Sequence, residues 1–151
     1  MIKYSLFLLI ASSFLLQATS SPDSPPSNCF TKKYAVYIVS HLPPNTPPLH
    51  VHCISKDDDL GYHNLTQNVE YRFAFCVKPL VTMFSCRFQW NGKDRGIHVF
   101  EASWGNNRCD SLSRDGICYY AVQPEGFYFT NVYPPPKKVG FLCDWNPKSK
   151  C

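Results

Sequence analysis

The chain has 151 residues and a formal net charge of +4, scattered along its length; without a stripe of Lys and Arg it does not read as a nucleic-acid binder. Aromatic residues make up 15%, a content that suits strands. The eight cysteines follow one another at spacings of 24, 23, 10, 23, 9, 25 and 8, with no C-x-x-C pair, which argues against zinc ribbons and thioredoxin-like motifs.

Lys3, the apolar run Ser5 to Leu16 and the small residues Ala18-Thr19-Ser20 form a signal peptide over residues 1–20. The run is too short to read as a membrane span, and no second long apolar stretch follows. Cleavage after Ser20 leaves 131 residues (151 − 20), enough for one domain with one core. Behind a signal peptide, the cysteines read as disulfides rather than metal ligands, although eight of them allow 105 pairings.

Residues 21–32 are a polar, proline-rich leader, expected to be disordered. Tyr34 to Val39 is a first strand, apolar on both faces. His41 to Pro48 holds four prolines and is a loop. Leu49 to Ile54 is a second strand, with Leu49, Val51 and Cys53 on one face and His50 and His52 on the other. Lys56 to Gly61 is an acidic turn.

Glu70 to Val77 alternates, setting Tyr71, Phe73 and Phe75 opposite Arg72. Thr82 to Trp90 alternates most clearly: Phe84, Cys86, Phe88 and Trp90 face one way, and Ser85, Arg87 and Gln89 the other. Asn91-Gly92 opens a turn, and Ile97 to Ala102 returns as its hairpin partner. Trp104 to Gly116 is a polar loop. Ile117 to Gln123 and Phe127 to Tyr133 are strands around Pro124-Glu125-Gly126. The domain is expected over 33–133, with a proline- and lysine-rich tail over 134–151.

Short strands at this spacing, with no 3.6-residue period, predict an all-β fold: a small, disulfide-bonded antiparallel β-sandwich. Cys53, Cys86 and Cys118 fall on the apolar faces of their strands, and Cys109 lies in a loop that can fold back to one of them. Cys76 has the opposite parity and is expected to bond differently.

Several ordered blocks carry a family resemblance. They are Tyr37-Ile38-Val39-Ser40-His41-Leu42, Val51-His52-Cys53-x-Ser55-Lys56-Asp57-Asp58-Asp59-Leu60-Gly61 and Tyr71-x-Phe73-x-Phe75. Thr82-x-Phe84-x-Cys86-x-Phe88-x-Trp90, the Cys109 to Cys118 pair and Val122-x-x-x-Gly126 follow. Together they resemble the plant self-incompatibility protein S1 family, small secreted plant proteins named after the stigma determinant of poppy. The resemblance implies a β-sandwich and a four-cysteine pattern matching Cys53, Cys86, Cys109 and Cys118. This chain departs from it by adding Cys29, Cys76, Cys143 and Cys151, expected to be bonded too and to pin leader and tail. It also has His41 and Tyr119 where the family usually shows Asn and Trp. The resemblance further implies a secreted ligand in cell–cell recognition; in poppy, the stigma protein engages a pollen plasma-membrane receptor and triggers calcium signalling.

The candidate binding residues are Lys56, Asp57, Asp58, Asp59, Tyr62 and His63, within a charged loop running to Asn64, with Asn91 to Gly96 as a neighbouring loop. Asp57-Asp58-Asp59 lacks the EF-hand pattern, and three consecutive carboxylates in an extended segment cannot all point at one ion, so a solvated turn outweighs a calcium site. His50, His52 and His63 lack a supporting zinc motif and read as surface or packing residues. No metal and no cofactor is expected. Asn64-Leu65-Thr66 is an N-glycosylation sequon that a secreted chain exposes to the glycosylation machinery. No G-x-S-x-G and no framed carboxylate or histidine pair is present, so the expectation is not an enzyme.

The sequence therefore predicts a secreted, extracellular recognition ligand, monomeric or weakly associating. Its partner is a plasma-membrane receptor or another cell-surface protein, with no nucleic acid and no membrane insertion. A secreted defence protein is the alternative, disfavoured by scattered charge and the lack of an amphipathic helix.

Overall fold

Strands whose apolar residues alternate bury one face, and strands apolar throughout bury both. The computed structural model of the protein, which describes Pro26 and residues 28–105 and 108–151, follows that rule. The expected signal peptide and half of the leader, residues 21–25 and 27, lie outside the described residues. Among the described residues nine strands form: β1 (Lys33–Ser40), β2 (Leu49–Ile54), β3 (Asp59–Leu65), β4 (Glu70–Cys76), β5 (Met83–Trp90), β6 (Lys93–Glu101), β7 (Gly116–Gln123), β8 (Gly126–Thr130) and β9 (Gly140–Asp144). They make a five-stranded sheet in the order β4-β1-β7-β8-β9 and a four-stranded sheet in the order β3-β2-β5-β6. No helix among the described residues is long and apolar enough to cross a membrane.

The inner faces meet in a core of Val36, Ile38, Val51, Phe88, Phe100, Tyr120 and Phe127. Tyr120 donates to Val99 O at 2.8 Å, which satisfies the hydroxyl where it is most deeply buried. All pairings are antiparallel except one: β1 runs parallel to β7, from Tyr34 opposite Gly116 to Ser40 opposite Val122. These two central strands are buried on both faces. Ala35, Tyr37, Val39, Tyr119 and Ala121 make a second apolar cluster on the outer face of the larger sheet. Tyr133 stacks on Tyr37 there, with ring centroids 4.2 Å apart.

Three expectations change. The segment read as a tail contributes β9, which pairs with β8 from Gly126 opposite Asp144 to Phe129 opposite Gly140. The acidic turn is shorter than predicted, because Asp59 already belongs to β3, a strand the sequence did not announce. The hairpin partner of β5 begins at Lys93, directly after Asn91-Gly92, since both residues take positive φ (47° and 78°), as a two-residue hairpin turn requires.

Four disulfides brace the sandwich. Cys53–Cys86 joins β2 to β5, Cys109–Cys118 ties the long loop to β7, Cys29–Cys76 fastens the leader to β4, and Cys143–Cys151 closes the C-terminus onto β9.

Candidate functional site

Strand β3 is an edge strand of high polarity, and its pairing with β2 gives the site its geometry. The register runs Leu49–Leu65, His50–Asn64, Val51–His63 and His52–Tyr62, then slips so that Ile54 faces Asp59. Leu60 and Gly61 thus oppose the single residue Cys53, a β-bulge, with Gly61 at φ 75° in the left-handed region. Simple alternation would put Asp59 and Tyr62 on opposite faces. The bulge puts both on the outer face, around His52.

His52 Nε2 donates to Asp59 Oδ1 at 2.7 Å, and the Tyr62 ring lies over the His52 ring at 4.1 Å. The Gly61 N–H also donates to Asp59 Oδ1, at 2.9 Å. That backbone bond, followed by the His52 bond, holds the Asp59 carboxyl below the usual carboxylate range. Tyr62 itself is 80% exposed.

Next to this cluster, the outer face presents cross-strand rows. Tyr62, His52, Arg87 and Gly96 form one; Asn64, His50, Gln89 and Asp94 form the next. Arg87 grips Asp94 in a fork, Nε to Oδ1 at 2.9 Å and Nη2 to Oδ2 at 2.5 Å, and Gln89 adds a third bond at 3.0 Å. The Arg87 guanidinium is the main reason the Asp94 carboxyl also sits low. His50 Nδ1 donates to Asn64 Oδ1, so the sequon asparagine stands exposed on this same face.

Beyond Ile54 the chain makes a tight turn. Ser55 N donates to Asp58 O at 2.8 Å, and Ser55 Oγ accepts from the N–H groups of Asp58 (3.0 Å) and Asp57 (3.3 Å). Lys56, Asp57 and Asp58 are therefore exposed on a turn with a fixed backbone. Lys78 reaches across from the β4–β5 loop to Asp57 at 3.4 Å. A recess of about 80 Å³ separates that loop from the turn, lined by Lys56, Asp57, Asp58, Val81, Met83 and Phe84 among others.

Of the predicted binding residues, then, Lys56, Asp57 and Asp58 share one turn, and Asp59 and Tyr62 share the adjoining outer face. His63 points the other way: its ring stacks on Tyr71 at 3.7 Å and its Nε2 donates to Leu60 O at 2.8 Å. Of the neighbouring loop named from sequence, Asn91 to Gly96, Asp94 and Gly96 lie in the same cross-strand rows as Asn64 and Tyr62, but its Asn91-Gly92 end is remote from the acidic turn. Its turn lies at the Trp90 end of β5 and the acidic turn at the Met83 end, some ~25 Å away for eight residues at ~3.3 Å each. The loop that does adjoin the turn, residues 77–82, carries no charge pattern or motif, and only the pairing of β2 with β5 brings it there.

Several known proteins are similar to this one. Residues 35–145 match the family described as plant self-incompatibility protein S1. S-protein homolog 4 of Arabidopsis thaliana is 30% identical over 142 residues, which cover 87% of this chain and 86% of that protein. S-protein homolog 5 of the same plant is 35% identical over 83 residues; this match takes in 53% of the present chain and spans 59% of the relative's length. A solved structure of an SPH (self-incompatibility protein homologue) protein, from a family described as small, highly stable and secreted, superposes with a TM-score of 0.50 at 18% identity, covering 74% of this chain and 96% of that one. The matched stretch runs from β1 to the end of β9, through the V-H-C block of β2 and the F-x-C-x-F-x-W block of β5. The chain, with its four disulfides, belongs to the plant self-incompatibility protein S1 family of small secreted proteins.

Proposed function

We propose that this protein is an extracellular recognition ligand for a plasma-membrane receptor or other cell-surface protein, and that it binds through the acidic turn and the adjoining outer face of the smaller sheet. The observation that carries the reading is the fixed turn 55–58, an exposed set of charges set directly behind the core bridge Cys53–Cys86. A rigid scaffold under charged loops lowers the ordering cost of binding and gives specificity through complementary charge. The carboxylates of this face suit recognition better than proton transfer. Asp59 and Asp94 are held low by donors, so they stay ionised at neutral pH, unlike a general acid or base tuned towards it.

The ligand acts as a monomer. The exposed edge β3 is bulged and carries Asp59, His63 and Asn64, features that discourage edge-to-edge pairing. A glycan on Asn64 would shield the edge just past the acidic turn.

The test uses labelled, oxidatively folded mature protein on intact plant protoplasts, with unlabelled protein as competitor. Wild type binds saturably. The variant Asp57→Asn/Asp58→Asn, which spares the His52 partner Asp59, binds at least about tenfold more weakly while its melting temperature stays within a few degrees. Equal binding by both proteins moves the surface elsewhere. Absence of competable binding across tissues removes the receptor reading and brings microbial inhibition assays forward.

A further inference from the structure

Two residues of the edge strand β3 leave chemistry unused on the outer face. Tyr62 is 80% exposed, yet its ring is held in place. One side lies on the His52 ring, with centroids 4.1 Å apart and planes inclined by 20°. His52 is fixed in turn by its bond to Asp59, so the support is rigid. Among the described residues no second ring stacks on Tyr62, and its other side faces water.

Asn64 follows two residues later and opens the sequon Asn64-Leu65-Thr66. Beyond the bulge the register is regular, with Tyr62 opposite His52 and Asn64 opposite His50. Alternate residues of a strand share a face and stand about 6.6 Å apart, so Tyr62 and Asn64 are neighbours there. His63, between them, turns the other way onto Tyr71. Asn64 Oδ1 accepts from His50 Nδ1, which fixes the plane of the carboxamide. Its Nδ2, the atom that carries a glycan, has no partner among the described residues, and both Asn64 and Thr66 are exposed.

From this juxtaposition we infer that Asn64 carries an N-linked glycan and that Tyr62 is its platform: the first N-acetylglucosamine lies on the open side of the Tyr62 ring. Attachment forms the bond from Asn64 Nδ2 to C1 of the sugar. The C1–O bond to a lipid-linked pyrophosphate donor breaks, the lipid pyrophosphate departs with the electron pair, and one amide proton is released. Oδ1 takes no part, so the His50 bond survives and aims the sugar. A pyranose with equatorial substituents presents only axial C–H groups on one side. That apolar side packs on an aromatic ring and removes area from water on both partners. A sugar tethered two residues away meets the ring at an effective concentration that no free ligand matches, which selects the glycan as occupant. The inference goes beyond the ligand reading and does not depend on it. At this end of the face, any partner meets sugar rather than a bare ring.

The test uses the full chain secreted from plant cells whose glycans are kept high-mannose, then trimmed by an endoglycosidase that leaves one N-acetylglucosamine. Mass spectrometry is expected to find that sugar on the Asn64 peptide; an unmodified Asn64 overturns the inference. Nuclear Overhauser contacts are expected between the Tyr62 ring and the axial protons of the sugar, which the ring current shifts upfield. Sugar protons at ordinary shifts, with no such contacts, overturn the platform. A stability cycle supplies the second arm. The aglycosyl variant Thr66→Ala keeps Asn64 and its His50 bond. The one-sugar protein is expected to melt a few degrees above it, and the gain to vanish when Tyr62→Ser is added to both. An equal gain with and without the Tyr62 ring overturns the platform. Where Tyr62→Ser does not fold, the Overhauser contacts in the wild type decide. None of these readouts depends on receptor binding.

Discussion

Arg95 is a charged side chain only 4% exposed, and it is bound by main-chain oxygens rather than by a carboxylate. Its Nη1 donates to Asn146 O; its Nη2 donates to Ser149 O at 2.5 Å and lies 3.0 Å from Cys151 Sγ. The guanidinium fork thereby folds the last residues back onto β6. Replacing it by an apolar side chain of similar length takes the guanidinium donors away from Ser149 O and Asn146 O, of which Asn146 O keeps the Ser149 N–H and hydroxyl. Arg95→Met is expected to lower the unfolding free energy by about 2–4 kcal/mol in a guanidinium titration. Arg87→Met is the matched control. Its fork to Asp94 lies on the exposed face, where solvent screens the pair, so the same titration should register a clearly smaller loss. Similar losses in the two variants would count against Arg95 as the anchor of the C-terminal segment.

Among the elements, β3 is the one whose local sequence least resembles its structure. Asp59-Leu60-Gly61 looks like turn chemistry, and in isolation it would be one. It becomes strand because β2 supplies a partner ladder and the bulge absorbs the extra residue at Gly61. A Cβ at position 61 meets no atom within 4 Å, so its cost is purely that of the backbone. Gly61→Ala is expected to destabilise by about 1–2 kcal/mol and, where the strand straightens, to turn Asp59 away from His52. Loss of the Asp59–His52 contact, read from the NMR shifts of the His52 ring, together with the lowered stability, checks this. Unchanged shifts and stability would mean that the bulge does not depend on glycine. The β4–β5 loop carries the converse case: Leu80, at φ 62°, keeps a backbone that glycine or asparagine would adopt at less cost.

For the whole molecule, acid response and covalent bracing follow from groups on both sheets. Asp59, Asp94, Glu101, Asp110, Glu125 and Asp144 all sit below their ordinary carboxylate values, held chiefly by Gly61 N–H, Arg87, Ser103, Lys32, Tyr128 and Ser149 respectively. A carboxyl depressed in the folded state stabilises that state fully above its unfolded pKa, and the contribution is lost as pH falls through the folded value. Glu70, raised mainly by burial, acts with the opposite sign: it favours the folded state when protonated, and that gain is lost as pH rises through its folded value. With six groups against one, the melting temperature is expected to hold level from pH 7 to about 5 and to fall below about pH 4. A decline already under way between pH 7 and 5 in thermal melts would contradict this. The bridges add to the same stability. In a chain-entropy account, Cys29–Cys76, with a separation of 47, contributes about 4 kcal/mol, and Cys143–Cys151, with 8, about 2.5.

What the sequence determined by itself is local. Tyr34 to Val39 is apolar at both parities and becomes β1, buried on both faces; Phe84 to Trp90 alternates and has one face in the core. Asn91-Gly92 made its hairpin turn because few dipeptides accept positive φ twice. Side-chain period and turn chemistry act over a few residues, so they can be read there. The tertiary structure decided whatever depends on a distant partner. The parallel pairing of β1 with β7 joins segments some eighty positions apart, β9 forms from a proline-rich stretch only because β8 offers an open edge, and Cys109 finds Cys118 through a folded loop. The candidate site belongs to this second class. Its acidic turn was visible in Lys56 to Asp59, but the bulge that gathers Asp59, His52 and Tyr62, and the ladder that sets residues 77–82 beside that turn, arise from strand register, which long-range packing alone determines.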